Sequence, residues 1–225
     1  MRVSEVFYSL QGEGGRAGEA SVFVRLSGCS AKHACATSGV VCDTEFESGV
    51  EMTSQELNEA MLDAVRRATP DSQYKSAIPW IVWTGGEPLD QLTPEILKEM
   101  RGMGWQYHAI ETSGVKPMSL ELRYALDWIT VSPKVAEHIL ARHYVWAHQV
   151  GSEVKGYVVD ELRYVRHAGQ PGVPQPTLKA VNYYLSPHSD GLTINKANVQ
   201  HCVKLCLEHP QWKLSIQQHK LWQVL

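Results

Sequence analysis

A chain of 225 residues with 44% hydrophobic and 20% charged side chains can bury a sizeable core, which excludes a disordered polypeptide and suits a single domain over 1–225. Acidic residues exceed basic ones by 24 − 21 = 3, so the charge balance gives no footing for a bulk nucleic-acid binder or a polybasic membrane anchor. No apolar run approaches the roughly 18–20 residues that cross a bilayer. Met1-Arg2-Val3-Ser4-Glu5 carries no apolar signal segment, so a cytoplasmic protein is expected, with no membrane and no direct nucleic-acid partner.

In chain order, Glu5–Leu10 and Ser21–Leu26 read as strands rich in Val, Phe and Tyr, joined by the glycine-rich Gln11–Gly18. A loop holding Cys29, Cys35 and Cys42 follows. Thr53-Ser54-Gln55-Glu56 has the spacing of a capping box, and Leu57, Ala60, Met61, Ala64, Val65 and Ala68 recur behind it at helical spacing until Pro70. Ile78–Trp83 reads as a strand that runs into Thr84-Gly85-Gly86-Glu87-Pro88. Thr93-Pro94-Glu95 opens a short helix that Gly102 can stop. Gln106–Ile110, Asp127–Val131, Glu161–Val165 and Asn182–Leu185 are further strands. The stretch from Glu137 to Val159 is the least patterned and reads as an excursion between strands. Gly169–Pro176 is a Gly/Pro loop. Val199, Cys202, Val203, Cys206 and Leu207 line one helix face, and Trp212–Ile216 is a last strand.

About eight strands alternating with helices predict an α/β architecture with a mostly parallel sheet, a barrel or part-barrel rather than a doubly wound sheet. The polar motifs repeatedly follow a strand. In a parallel α/β barrel such positions share the rim where active sites are built. Thr84–Pro88, Glu111–Gly114, Ser132–Lys134 and Gln217–Lys220 would then converge.

The cysteine loop opens on the same rim. Five cysteines are an odd number and no disulfide framework is expected. Thiolates suit iron–sulfur clusters or zinc, and His33 stands as a possible fourth ligand. Three unconnected thiols are the plain alternative. Cys202 and Cys206, four apart on an apolar helix face, read as core packing. The glycine-rich loop precedes a strand rather than a helix, so a tight strand connection is preferred over phosphate binding. Arg25, which interrupts an apolar strand, either faces solvent or meets a carboxylate.

The stretches Val6-Phe7-Tyr8-Ser9-Leu10-Gln11-Gly12-Glu13-Gly14, Phe23-Val24-Arg25-Leu26-Ser27-Gly28-Cys29 and Cys42-Asp43-Thr44 are followed in order by Thr84-Gly85-Gly86-Glu87-Pro88, Glu111-Thr112-Ser113-Gly114 and Val131-Ser132-Pro133-Lys134. Leu214-Ser215-Ile216-Gln217-Gln218-His219-Lys220 completes the set. Together they resemble the 7-carboxy-7-deazaguanine synthase family of radical S-adenosylmethionine enzymes, from residue 5 to the C-terminus. The resemblance implies a shortened, distorted (β/α) partial TIM barrel, usually dimeric. It implies a lyase that turns 6-carboxy-5,6,7,8-tetrahydropterin into 7-carboxy-7-deazaguanine with loss of ammonia, on the way to queuosine or modified DNA bases. The cofactors implied are a [4Fe–4S] cluster, S-adenosylmethionine and Mg²⁺, with an electron donor such as flavodoxin and a homodimeric assembly.

By that resemblance Cys29, Cys35 and Cys42 hold the cluster in the 29–42 loop. Val41, Cys42, Asp43, Gly86, Ser132, Pro133 and Lys134 contact the cofactors, as do Ser186, Pro187, His188 and Ser189. Leu10, Gln11, Gly12, Arg25, Thr84 and Leu225 contact substrate, with Arg25 on its carboxylate. Thr44 is the Mg²⁺ ligand, and Glu13 and His219 face the pterin as the catalytic pair. Two departures from the family pattern stand out. The spacing is Cys29-x5-Cys35-x6-Cys42 instead of Cys-x3-Cys-x2-Cys, with His33 at the place of the usual second cysteine. Ser186-Pro187-His188-Ser189 stands where relatives often carry a Gln-Pro pair. The alternatives weighed are an activase of a glycyl radical enzyme and a zinc or redox binding module without catalysis.

Overall fold

The structure, a computed structural model, describes residues 1–37, 46–70, 79–147, 158–189 and 193–224. Nine strands form one sheet in the order β3-β1-β2-β4-β5-β6-β7-β8-β9. Strands β1 (Arg2–Leu10) and β2 (Ala20–Leu26) pair antiparallel, and β3 (Val50–Glu51) adds antiparallel to the outer side of β1. Strands β4 (Trp80–Gly85), β5 (His108–Thr112), β6 (Trp128–Val131), β7 (Val159–Arg166), β8 (Ala180–Pro187) and β9 (Trp212–Leu214) then continue from β2, each parallel to the last.

The parallel strands follow one another in sequence without a reversal, so the sheet is wound in one direction only. Right-handed crossovers then place their helices on one face. The sheet is an open part-barrel: the antiparallel β1 and β3 extend one edge, and among the described residues that edge is not bonded to β9.

Most predicted strands lie within about two residues of the observed ones, the usual uncertainty of element ends. Helix α1 (Lys32–Thr37) follows Cys29, and helix α2 (Ser54–Ala68) starts at the predicted capping box. Glu56 accepts from the Thr53 amide at 2.8 Å, and Thr53 accepts from the Glu56 amide at 3.2 Å. Helix α3 (Pro94–Gly102) begins with its proline in the first turn, where a missing N–H costs nothing. Helices α4 (Leu120–Ala125), α5 (Glu137–His143), α6 (Lys196–Glu208) and α7 (Gln218–Trp222) are the remaining α-helices among the described residues. Strand β3 was not predicted, because two exposed residues carry no pattern. Helix α5 lies in the stretch read as an unpatterned excursion; its Leu140 and the following Tyr144 are fully buried.

Alternation along the strands sorts two cores. Val22, Val24, Ile81, Trp83, Ile110, Ile129 and Leu162 face the helices and pack with Leu57 and Met61 of α2 and Leu97 and Met100 of α3. On the concave face a row crosses five strands in register, Phe7–Phe23–Val82–Ala109–Trp128. Phe7 and Phe23 stack there at 4.9 Å. Cys202 is fully buried with Leu185, Leu205 and Trp212, as its helix spacing predicted, whereas Val203 and Leu207 of the same predicted face are exposed and Leu205 takes their place in the core. Burial pushes its thiol up to about 12, so it stays protonated. No helix among the described residues is long and apolar enough to cross a membrane.

Candidate active site

Two residues beyond the apolar row, Glu111, Thr130 and Glu161 form a second row on the concave face. Above it, every parallel strand from β2 to β9 ends at one cavity of about 240 Å³. Its wall takes Cys29 and Cys35 from the segment after β2, and Gly85 and Gly86 from the end of β4. Thr112 and Ser113 come from β5, Ser132 and Lys134 from β6, Ser186–Ser189 from β8 and Gln217 from beyond β9. These are the strand ends that the rim argument brought together, although most of the chain runs between Cys29 and Gln217.

The turn after β4 determines how close the loops come. Gly85 has φ of +103°, and the Gly86 amide donates to the Leu26 carbonyl at 2.9 Å. The Glu87 amide donates to the Gly28 carbonyl at 3.2 Å. A Cβ on Gly86 would lie 1.7 Å from that carbonyl oxygen, so only glycine lets the two loops meet. Glu87 is fully buried. Its carboxylate accepts from the Leu89 amide at 3.2 Å, the Thr112 hydroxyl at 2.6 Å, the Ser113 amide at 3.0 Å and the Ser113 hydroxyl. The Ser113 carbonyl takes the Lys134 amide at 2.9 Å, and the Thr112 carbonyl takes the Ser132 amide at 2.8 Å. Glu87 thus straps the β4, β5 and β6 loops together behind the cavity wall.

Asp90 holds the cysteine loop from the other side. It accepts from the Ser30 amide at 2.9 Å and pairs with Lys116 at 3.0 Å. Partial burial works against its charge, but the Lys116 and Ser30 bonds outweigh burial and lower its pKa. Cys35 lies on α1 and lines the cavity with Cys29, whereas His33 is exposed and is not among the lining residues.

The glycine-rich loop departs from the expected tight connection. It leaves the sheet at the N-terminal end of β2, the mouth opposite the rim, because β1 runs antiparallel. It then folds through a 3₁₀ turn, Gly14–Arg16, and crosses the concave face. The Gly14 amide donates to the Ser215 hydroxyl at 3.0 Å and the Gly15 amide to the Glu161 carboxylate. Gly14 has φ of +69°, and a Cβ there would fall 2.3 Å from a Glu161 oxygen. Glu13 is carried across the barrel to the cavity wall, beside Arg163 of β7.

Arg163 is 5% exposed and meets three carboxylates. It bonds Glu13, reaches Glu161 at 3.1 Å and reaches Glu111 at 3.3 Å. Burial works against its charge, but Glu111, Glu13 and Glu161 outweigh burial and hold its pKa raised. Gln11 supports the same group: its side-chain amide donates to Glu111 at 3.1 Å and its oxygen accepts from the Glu13 amide at 3.1 Å. Glu161 also takes the Thr130 hydroxyl at 3.1 Å. Burial, then Glu161, raises the nearby Tyr184 phenol.

Of the site residues read from the sequence, Glu13, Cys29, Cys35, Gly86, Ser132, Lys134, Ser186, Pro187, His188 and Ser189 share the cavity wall. His188 stacks on His167 at 4.3 Å. Pro133 lines a neighbouring hollow with Lys134 and Tyr164. Arg25 and Thr84 sit in register on adjacent strands. Arg25 pairs with Glu5 at 2.6 Å and lies 4.8 Å over the Phe7 ring, which puts it on the concave face. Gln11 is buried one hydrogen bond behind Glu111. Gly12 accepts the Gln218 amide at 2.9 Å, and the His219 imidazole packs directly against it. Leu10 is 38% exposed and borders an apolar groove with Tyr8, Ala68 and Val224, away from the cavity. Val41, Cys42, Asp43, Thr44 and Leu225 lie outside the described residues.

Sequence reasoning left out Arg163, Glu161, the Glu111 side chain and Glu87. The signal for the first two was present. Glu161 and Arg163 alternate with Leu162 and Tyr164, which puts two charges on one face of a strand whose other face packs into the core.

No protein-family model matches the chain. Among curated proteins, the chain is 34% identical to the 7-carboxy-7-deazaguanine synthase of Caulobacter vibrioides, over 97% of this chain and 96% of that protein. It is 32% identical to the protein of the same name from Bacteroides thetaiotaomicron, over 98% of this chain and 96% of that protein. For that of Nitratidesulfovibrio vulgaris the figures are 34%, 97% and 96%. Among solved structures, the crystal structure of QueE from Escherichia coli superposes with a TM-score of 0.55, covering 96% of this chain and 93% of that one, at 21% identity. That likeness establishes the shared fold.

Proposed function

The chain belongs to the 7-carboxy-7-deazaguanine synthase family, and from that premise we propose that it is a radical S-adenosylmethionine lyase that converts 6-carboxy-5,6,7,8-tetrahydropterin into 7-carboxy-7-deazaguanine with loss of ammonia. The observation that carries this reading is the cavity where Cys29 and Cys35 face Gly86 from beyond β4, Ser132 and Lys134 from beyond β6 and Ser186 from β8. The donor set fits a [4Fe–4S] cluster with S-adenosylmethionine. Two soft thiols line the wall, as such a cluster requires. The Ser186 hydroxyl is buried there with no hydrogen-bond partner among the described residues.

Cys29, Cys35 and Cys42 would hold the cluster. Gly86, Ser132, Pro133, Lys134 and Ser186–Ser189 would hold S-adenosylmethionine, with Val41 and Asp43 beside the third cysteine. When bound, these groups supply the one-electron chemistry that starts the ring contraction. The chain's own residues orient and shield the substrate. Arg25 offers a guanidinium fork to the substrate carboxylate, and its Glu5 partner holds that fork over Phe7 until substrate arrives. Glu13 and His219 serve as the proton-handling pair facing the pterin. Gln11 and Gly12 position the loop that carries Glu13, and Thr84 and Leu225 would complete the substrate contacts. Thr44 would provide an oxygen ligand for Mg²⁺. We extend the reading to a homodimeric, cytoplasmic, single-domain enzyme served by a small electron donor such as flavodoxin.

The test is an anaerobic assay of reconstituted protein with S-adenosylmethionine, dithionite, Mg²⁺ and 6-carboxytetrahydropterin, read by mass spectrometry for 7-carboxy-7-deazaguanine. Wild type is expected to make product. Cys35→Ala is expected to lose product and cluster iron, whereas His33→Ala keeps both. Cleavage of S-adenosylmethionine without the deazaguanine would remove the substrate assignment. A fully loaded cluster with no cleavage at all would remove the enzymatic one.

A further inference from the structure

The carboxylates around Arg163 come from three different places in the chain. Glu13 arrives on the loop between β1 and β2, Glu111 stands near the end of β5, and Glu161 shares a face of β7 with Arg163. Glu13, Glu111 and Arg163 all line the cavity. Glu161 is 1% exposed and is tied to Thr130 and Gly15 behind it. Arg16, a further cation near this group, pairs instead with Glu19 at 3.0 Å and lies 3.8 Å over the Trp80 ring. Three carboxylates would repel one another at such spacing, and only a cation that bonds all three holds them in one place. A planar guanidinium with five N–H donors can do so. An ammonium acts as a compact point charge and lacks the planar fork.

We propose that Arg163 is a positioning residue of this active site, acting through Glu13 and Glu111, whose carboxylates it holds at fixed points of the cavity wall as hydrogen-bond acceptors for the substrate. The proposal rests on the functional reading above, since it takes this cavity for the substrate site. Arg163 does not itself hold the cluster or S-adenosylmethionine, whose residues stand on the strand ends above. Loss of the guanidinium therefore disturbs the substrate side of the cavity and leaves the cofactor side intact.

The test uses the reconstituted full chain with Arg163→Lys, and Arg163→Met beside it. For Arg163→Lys the expected result is a substrate KM raised about tenfold with kcat lowered by at least as much, a split that a general loss of fold does not give. S-adenosylmethionine affinity and iron content are expected to stay within about twofold of wild type, since the ion pairs of Arg163 run to Glu13, Glu111 and Glu161. A crystal structure of the Lys variant without ligands is expected to show the Glu13 and Glu111 side chains turned from their wild-type positions.

A Lys variant with wild-type kcat/KM overturns the inference, as does one that loses cofactor affinity in parallel with substrate affinity. If wild type itself makes no 7-carboxy-7-deazaguanine, the functional reading fails. The crystal structure then decides the positioning role alone, and unmoved carboxylates overturn it. Should Arg163→Met fail to fold, the Lys variant carries the test.

Discussion

At Gly86 one absent carbon sets the distance between two loops. A Cβ there would meet the Gly28 carbonyl oxygen at 1.7 Å and the Cys29 Cβ at 3.1 Å. The first obstacle is backbone and has no rotamer to adopt. Gly86→Ala is therefore expected to push the Cys29 segment away, lowering stability by about 1–3 kcal/mol, the usual cost of overpacking. Iron bound per chain after reconstitution should fall with it, measured beside a thermal melt. This residue was legible as part of a motif. Its neighbour Glu87 was not legible as a strap, because the four donors it serves come from Leu89, Thr112 and Ser113, and no local pattern announces a contact across 26 positions. His108 gives the same lesson from the core. It is fully buried between aromatic partners, accepting from the Trp83 indole at 3.2 Å and bonding the Trp105 carbonyl at 3.0 Å. Nothing in the sequence around His108 announces this role.

Elements were read best where their own termini carried the signal. The capping box of α2 is local chemistry, and Thr53 and Glu56 satisfy each other's amides as their spacing predicted. Thr53→Ala is expected to cost about 1 kcal/mol in a urea titration. It should leave kcat unchanged, because α2 packs on the face of the sheet opposite the cavity. The glycine-rich segment was read least well. Its composition suits either a tight turn or a long excursion. What decides is the Glu161 carboxylate, the Ser215 hydroxyl and the Gln218 amide, all more than 140 positions away along the chain.

For the molecule as a whole, His108 predicts how stability changes with pH. Burial first, and the Arg101 cation second, push its pKa down to about 4 from an ordinary 6.5. Above pH 6.5 the ring is neutral in both folded and unfolded chains and protons are not linked to folding. As pH falls from about 6.5 towards 4, the unfolded chain takes up a proton that the native chain refuses, so stability is lost across that window. Below 4 both states are protonated and the slope from this group ends. Between pH 7.5 and 4.5 wild type is expected to lose about 2–3 kcal/mol more than His108→Gln, from denaturant titrations at both values.

What the sequence by itself determined is whatever depends on neighbours a few positions apart. The alternation of apolar strands and helices, the α2 cap, the burial of Cys202 and the sequential placement of polar motifs after strands all belong there. Those features were enough for a one-sided parallel sheet with a site on its C-terminal rim, since chirality and strand twist leave few other arrangements. Only the tertiary structure decided that β1 runs against the other strands, and so that Glu13 enters from the opposite mouth to join Arg163, Glu111 and Glu161. It also decided that Cys35 rather than His33 faces the cavity. The physical reason is range. Hydrogen bonds and caps along a helix are written within one turn, whereas an ion pair across a barrel depends on where the whole sheet brings each strand.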